Sequence, residues 1–133
     1  MLIVNTYLDM SEGKGVGLFA KELIPKGKIW WIRNEQFDKV IMESELASYA
    51  QLAANFIMTY GFHEPAGNWY LCIDNARFSN HSYIPNTFNK LNAKGELVFC
   101  TATKDIFPGE EILCNYKDIC IASQIDLGFK DAG

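Results

Sequence analysis

The sequence predicts an α+β fold, mainly β, formed by a single domain over residues 1–133. Three observations predict it. Short apolar runs are cut by Gly, Pro and Asn at strand-like intervals, only residues 44–60 carry helical spacing, and the strand pattern returns from residue 69. A chain of 133 residues is long enough to bury one core but not to house two. Its 49% hydrophobic content, with nine Phe, six Tyr and three Trp, fits a packed globule rather than a disordered segment.

The elements follow in order. Leu2 to Leu8 and Gly15 to Ala20 read as strands around a Ser11-Glu12-Gly13 turn, and Pro25-Lys26-Gly27 turns the chain into a strand through Ile29, Trp30, Trp31 and Ile32. Between residues 44 and 60, Leu46, Ala47, Ala50, Ala53, Ala54, Ile57 and Met58 recur at helical spacing, with Ser44 as a cap and Gly61 past the end. Residues 62–68, with Pro65 and Gly67, read as a loop. Strands resume at Trp69 to Ile73, Thr87 to Leu91 and Leu97 to Thr103, with turns at Lys94-Gly95 and Pro108-Gly109.

Charge and cysteines narrow the function. A net charge of -4 argues against a general grip on nucleic acid phosphates, which needs clustered Lys and Arg, and suits a basic partner such as a lysine-bearing peptide. A small β-barrel binding nucleic acid would interleave its aromatics with Lys and Arg, but Trp30-Trp31 has only Lys28 and Arg33 nearby. No stretch approaches the ~20 apolar residues of a membrane span, and the first residues lack the pattern of a signal peptide. The expectation is an intracellular, cytoplasmic protein, with a nuclear or host-nuclear place left open and a homodimer equally open. Cys72, Cys100, Cys114 and Cys120 form no C-x-x-C pair, and three of the four sit in apolar surroundings that suggest buried, reduced thiols, so no metal is expected.

Three segments carry chemistry. Residues 76–86 read A-R-F-S-N-H-S-Y-I-P-N. Upstream lies Gly13-Lys14-Gly15-Val16-Gly17-Leu18-Phe19-Ala20, and downstream Pro108-Gly109-Glu110-Glu111-Ile112 runs into Asn115-Tyr116. Each has an ordinary reading when taken alone. A G-x-G turn is a common hairpin, and with Leu18 following it is neither G-x-G-x-x-G nor a P-loop. Asn and Ser favour turns, His81 suits a partly buried histidine, and a lone Tyr usually packs its ring and bonds its hydroxyl to a carbonyl. What generic turns do not explain is the occurrence of all three segments in this order. Together, over roughly residues 10 to 116, they resemble the SET domain, the fold of most protein-lysine methyltransferases.

That resemblance implies small curved sheets around an inserted helix, and a knot-like C-terminal crossing that ordinary chain topology would not suggest. It implies S-adenosylmethionine as cofactor, S-adenosylhomocysteine as product and a lysine of a protein or peptide, histone-like or otherwise, as substrate. Lys14, Gly15 and Val16 would cradle the cofactor's methionine part. Asn80 would contact its amino-acid end and His81 would meet the adenine through its backbone, with Arg77 and Phe78 as supports. Tyr116 would be the catalytic residue. Cys114, where many members carry Phe or Tyr, would border the lysine channel and leave room for more than one methyl group. Tyr60 and Tyr70 could line that channel or belong to the core or rim, and residues 62–68 could form one wall of the substrate groove.

The departures point toward a minimal form. There is no cysteine-rich stretch before residue 13 and no closely spaced Cys set in the tail, so zinc is not expected and the likeness is to small bacterial or viral SET proteins. Phe129 is then the candidate aromatic over the cofactor. The Asp that usually precedes the active-site tyrosine is here Asn115, which keeps alive an alternative: a SET-like module that binds protein or peptide without turnover.

Overall fold

A computed structural model describes residues 1–120. The first hairpin pairs β1, Thr6–Ser11, with β2, Gly15–Ala20, antiparallel from Thr6↔Ala20 to Ser11↔Gly15. Its second strand has the expected bounds, whereas the first begins later than the apolar run at Leu2. Leu2 instead bridges to Trp31, so the chain's first apolar residues brace the next sheet. Gly13 and Gly15 turn the hairpin with φ of 74° and 78°.

β3, Ile29–Ile32, starts a three-stranded antiparallel sheet whose remaining strands come much later. A second three-stranded sheet begins with β4, Lys39–Ile41, which has only three residues and escapes a period-2 reading. The helix expected over 44–60 is two helices, α1 at Glu43–Leu46 and α2 at Gln51–Tyr60. The break follows from Ser48, whose N–H and hydroxyl both donate to Glu45 O, at 3.0 and 2.6 Å. Such local bonds compete with helix propagation, and Ala50 is then extended before α2. The residue capping α1 is Met42, not the expected Ser44, and Glu45 accepts from the Met42 N–H at 3.4 Å. Gly61 does end α2, through close approach rather than positive φ: a Cβ there would lie 2.6 Å from Ile57 O.

The loop expected at 62–68 opens with β5, Phe62–His63, which pairs with β6, Trp69–Leu71, and β6 in turn pairs with β4. A 3₁₀ turn at Asn75–Phe78 leads into β7, Asn80–His81. β8, Thr87–Leu91, and β9, Leu97–Ala102, complete the β3 sheet in the order β3-β9-β8, close to the expected bounds. β10, Leu113–Cys114, lies parallel to β7, with Leu113↔Asn80 and Cys114↔His81. On its way there, the chain runs along β2: Ala20 N–H donates to Glu110 O (2.9 Å) and Ile112 N–H to Leu18 O (2.8 Å).

One apolar cluster joins Leu18, Ile24, Trp30, Trp31, Tyr70, Ile106 and Ile112, and a smaller one joins Ile41, Ile57, Trp69 and Leu71 beneath α2. Arg33 and Glu64 form a buried ion pair beside the larger cluster: Arg33 Nη1 and Nη2 donate to the two Glu64 oxygens at 2.9 and 3.0 Å. Glu64 also accepts from the Leu97 N–H at 2.6 Å, so one carboxylate ties β9 to the start of the 64–68 turn. No described helix is long and apolar enough to cross a membrane.

Candidate functional site

The three motif segments meet at the β7–β10 pair. Asp74 caps the 3₁₀ turn by accepting from Ala76 N–H (3.0 Å), and its other oxygen accepts from Leu2 N–H (2.8 Å), which anchors the approach to Asn80. Asn80 then reaches the first hairpin: its Nδ2 donates to Val16 O at 3.2 Å and to Glu111 Oε2 at 2.8 Å. Ser11 Oγ donates to the other Glu111 oxygen at 2.7 Å. Gly17 must be glycine for this contact, because a Cβ there would lie 2.5 Å from Glu111 Oε2 and 3.0 Å from Asn80 Nδ2. Asn86 holds the last segment from its far side, accepting from Leu113 N–H at 2.8 Å and donating to Glu111 O at 2.7 Å.

Parallel pairing also delivers Tyr116 to His81. The Tyr116 N–H donates to His81 Nδ1 at 2.9 Å, so the neutral imidazole carries its proton on Nε2. The Tyr116 hydroxyl donates to Ser79 O at 2.6 Å. Its single hydrogen is thereby committed, and the phenolic oxygen keeps only acceptor capacity. Burial, followed by the neighbouring Cys114, pushes this phenol well above its ordinary value. A phenol so held is a neutral hydrogen-bond acceptor, not a base.

The Tyr116 ring borders a cavity of about 590 Å³, including the part open to solvent, whose wall also holds Tyr60, Arg77, Ser79, Asn89 and Cys114. Cys72, Cys100, Cys114 and Cys120 all reach this wall as buried free thiols. Cys114 Sγ lies 3.8 Å from both Asn80 O and Ser79 Oγ, and burial pushes its thiol up to about 12. Tyr60, half-buried at the end of α2, tilts against Phe56 at 4.8 Å and meets Phe78 edge-on at 5.7 Å. The Arg77 guanidinium covers the Phe78 ring at 4.9 Å and donates to Ile73 O at 3.0 Å.

The SET-domain family model matches residues 15–117. The chain belongs to the SET-domain family. Among solved structures, it is similar to an apo form of the polycomb repressive complex 2 of Chaetomium thermophilum carrying two Ezh2 substitutions. Identity there is 25%, over 97% of this chain and 17% of that one, with a TM-score of 0.68. It is also similar to an autoinhibited form of that complex bound to S-adenosylmethionine, at 25% identity, 93% and 16% coverage and a TM-score of 0.65. A Plasmodium falciparum protein provisionally named a histone methyltransferase shares the fold at 21% identity, covering 85% of this chain and 93% of that one, with a TM-score of 0.58. This SET domain thus spans about a sixth of the polycomb chains it matches. No curated protein matches it in sequence.

Within this SET domain the expected residues separate into two groups. Gly15 and Val16 are exposed on the hairpin beside Asn80, with Lys14 half-buried, while His81, Cys114 and Tyr116 adjoin one another across the strand pair. Tyr60 borders the same cavity as Cys114 and Tyr116. Tyr70 lies apart. It is fully buried, donates its hydroxyl to Asp38 at 2.6 Å and stacks on Phe62, so of its two expected roles it takes the core one. Phe129 lies outside the described residues. Sequence reasoning missed Ser11, Ser79, Asn86, Asn89 and Glu111. Ser79, Asn86 and Glu111 stood inside quoted motifs, but motif membership does not reveal which backbone or side-chain groups they bind.

Proposed function

We propose that this SET domain is a protein-lysine N-methyltransferase, using S-adenosylmethionine to methylate a lysine of a protein or peptide with no metal required. The observation that carries the proposal is the position of Tyr116, which lines the cavity while its hydroxyl is bonded to Ser79 O and its backbone N–H is tied to His81 beside Asn80. The residues present fit the cofactor. The Asn80 amide hydrogens face Val16 O and Glu111, which leaves the carbonyl oxygen as an acceptor for an ammonium group, and a Cβ position at Gly15 has no atom within 4 Å. When bound, S-adenosylmethionine supplies a methyl group on a sulfonium and leaves as S-adenosylhomocysteine.

The chain's own part is to deliver a neutral amine in line and exclude water. Lysine in water is mostly ammonium, with a pKa near ~10.4. The cavity wall of Tyr60, Cys114 and Tyr116 disfavours that charge, so the amine sheds its proton to solvent as it enters. The Tyr116 oxygen would accept an amine hydrogen, which orients the amine toward the bound cofactor without taking a proton. Free, reduced thiols suit an intracellular setting for this chemistry.

The test is incubation with S-adenosylmethionine and mixtures of histones and cell extract, followed by mass spectrometry. Lysine residues heavier by one or more methyl groups are expected. Cofactor and peptide binding with no turnover would instead make this a binding module. Calorimetry showing no cofactor binding by the folded protein, with or without peptide, would sink the assignment.

A further inference from the structure

We infer that Glu111 is the positioning residue of the cofactor site, acting by fixing which way the Asn80 amide faces. The inference rests on the methyltransferase reading and adds to it a residue that touches neither cofactor nor substrate. The amide orientation is dictated by its partners. Val16 O at 3.2 Å and the Glu111 carboxylate at 2.8 Å are both acceptors, so the Asn80 nitrogen, not its oxygen, must face them. Among the described residues no donor is bonded to the Asn80 side-chain oxygen, which is left as an acceptor for a ligand.

Without Glu111, only the hydrogen bond to Val16 O would remain to hold the amide, so the rotated orientation, which presents nitrogen instead of oxygen, becomes more populated. An ammonium facing an NH₂ group loses its acceptor and meets a like dipole. Glu111 is itself fixed. Ser11 Oγ donates to its other oxygen at 2.7 Å, and the bare Gly17 backbone gives its carboxylate room. The Phe19↔Glu111 bridge seats its backbone against β2. The second Glu of Pro108-Gly109-Glu110-Glu111 thus joins the first and last motif segments through the side chain of the middle one.

The experiment measures S-adenosylhomocysteine affinity by calorimetry for the wild type and for Glu111→Ala, Glu111→Gln, Asn80→Ala and the Asn80→Ala/Glu111→Ala double variant, with a thermal melt of each. Gln keeps the geometry, since its oxygen can accept from Asn80 and its nitrogen can donate to Ser11 Oγ. Glu111→Ala is expected to weaken affinity ~10-fold, and Glu111→Gln to stay within ~3-fold of wild type. The double variant should bind no worse than Asn80→Ala alone, because residues acting through one group are not additive. In turnover, Glu111→Ala should raise KM for S-adenosylmethionine with kcat little changed. Wild-type affinity in Glu111→Ala, full additivity in the double variant, or equal losses for Gln and Ala would overturn the positioning role. If the wild type itself binds no S-adenosylhomocysteine, the methyltransferase reading fails first, which keeps the two failures distinct.

Discussion

Replacing Tyr116 by Phe removes one hydroxyl and keeps the ring that lines the cavity and tilts against His81 at 5.2 Å. Two losses follow, and their sizes differ. The bond to Ser79 O, 2.6 Å long, is a neutral hydrogen bond whose removal costs about 1 kcal/mol of net stability. A domain with ordinary stability of ~5 kcal/mol or more stays folded after that loss. The catalytic loss is larger, because the acceptor oxygen contributes where the amine and methyl group are being aligned. Removing one such preorganised group lowers turnover by ~10² or more, about 2.7 kcal/mol of barrier. The assay is single-turnover methylation of a peptide at saturating S-adenosylmethionine, with calorimetric affinity and a melt alongside. Affinity should be little changed and the variant folded. Since the phenol is held well above its ordinary value, its ionisation contributes nothing between pH 7 and its ordinary value near 10, so the pH–rate curve should drop without changing shape. A variant as active as wild type, or a wild-type inflection that vanishes in the Tyr116→Phe variant, would refute the orienting role.

Cys114→Tyr should shift products from di- or trimethyl-lysine toward monomethyl-lysine, because a phenol there fills cavity space that the small thiol leaves; mass spectra of a limiting peptide taken to completion decide it. Glu64→Ala should cost about 1–3 kcal/mol in urea unfolding, since it removes the acceptor of the buried Leu97 N–H and the bidentate partner of Arg33, which keeps Glu35 and Glu96 as weaker, more exposed partners. Replacing both partners with apolar residues should recover much of that loss. Stability should also fall at alkaline pH. Cys114 is raised in the folded state from an ordinary 9 to about 12, so its contribution is complete below pH 9 and is lost as pH rises from there toward 12. Cys72, Cys100 and Cys120 are raised in the same direction by burial and should steepen the decline, as urea melts across that range would register.

Strong local signals were readable in the sequence. Gly15 to Ala20 is an apolar run bounded by turn residues and is a strand with those bounds; Thr87 to Leu91, where only Phe88 and Leu91 are apolar, is also a strand with the expected bounds. The cysteines in apolar surroundings are buried. Short elements were beyond reach: β7 and β10 have two residues each, too few to show a period, and their partners lie about thirty residues away in sequence. Beside the backbone bond from Ser82 N–H to Cys114 O at 2.9 Å, side-chain bonds hold β10 in place, with Thr87 Oγ1 donating to Leu113 O at 2.7 Å and Asn86 holding residues 111 and 113. Such bonds leave no mark on hydrophobic patterning. Tyr70 shows the converse limit. An aromatic in a strand of Trp and Leu suits a channel or a core equally, and its full burial, its bond to Asp38 and its stacking on Phe62 are what distinguish them.

Asn115 is the departure that bears most on turnover against mere binding. In the structure its side chain accepts from the Lys117 N–H at 3.0 Å and caps the short 3₁₀ turn at Tyr116–Asp118, while its backbone carbonyl accepts from Asn89 Nδ2 at 3.3 Å. Neither bond needs a carboxylate. Asn and Asp are nearly equivalent as caps, because each offers one oxygen to an N–H two or three residues ahead. An Asp could perform this same capping, and Asn performs it here without a charge. The turn that aims Tyr116 at Ser79 is therefore intact, and the substitution removes no group that the proposed chemistry uses.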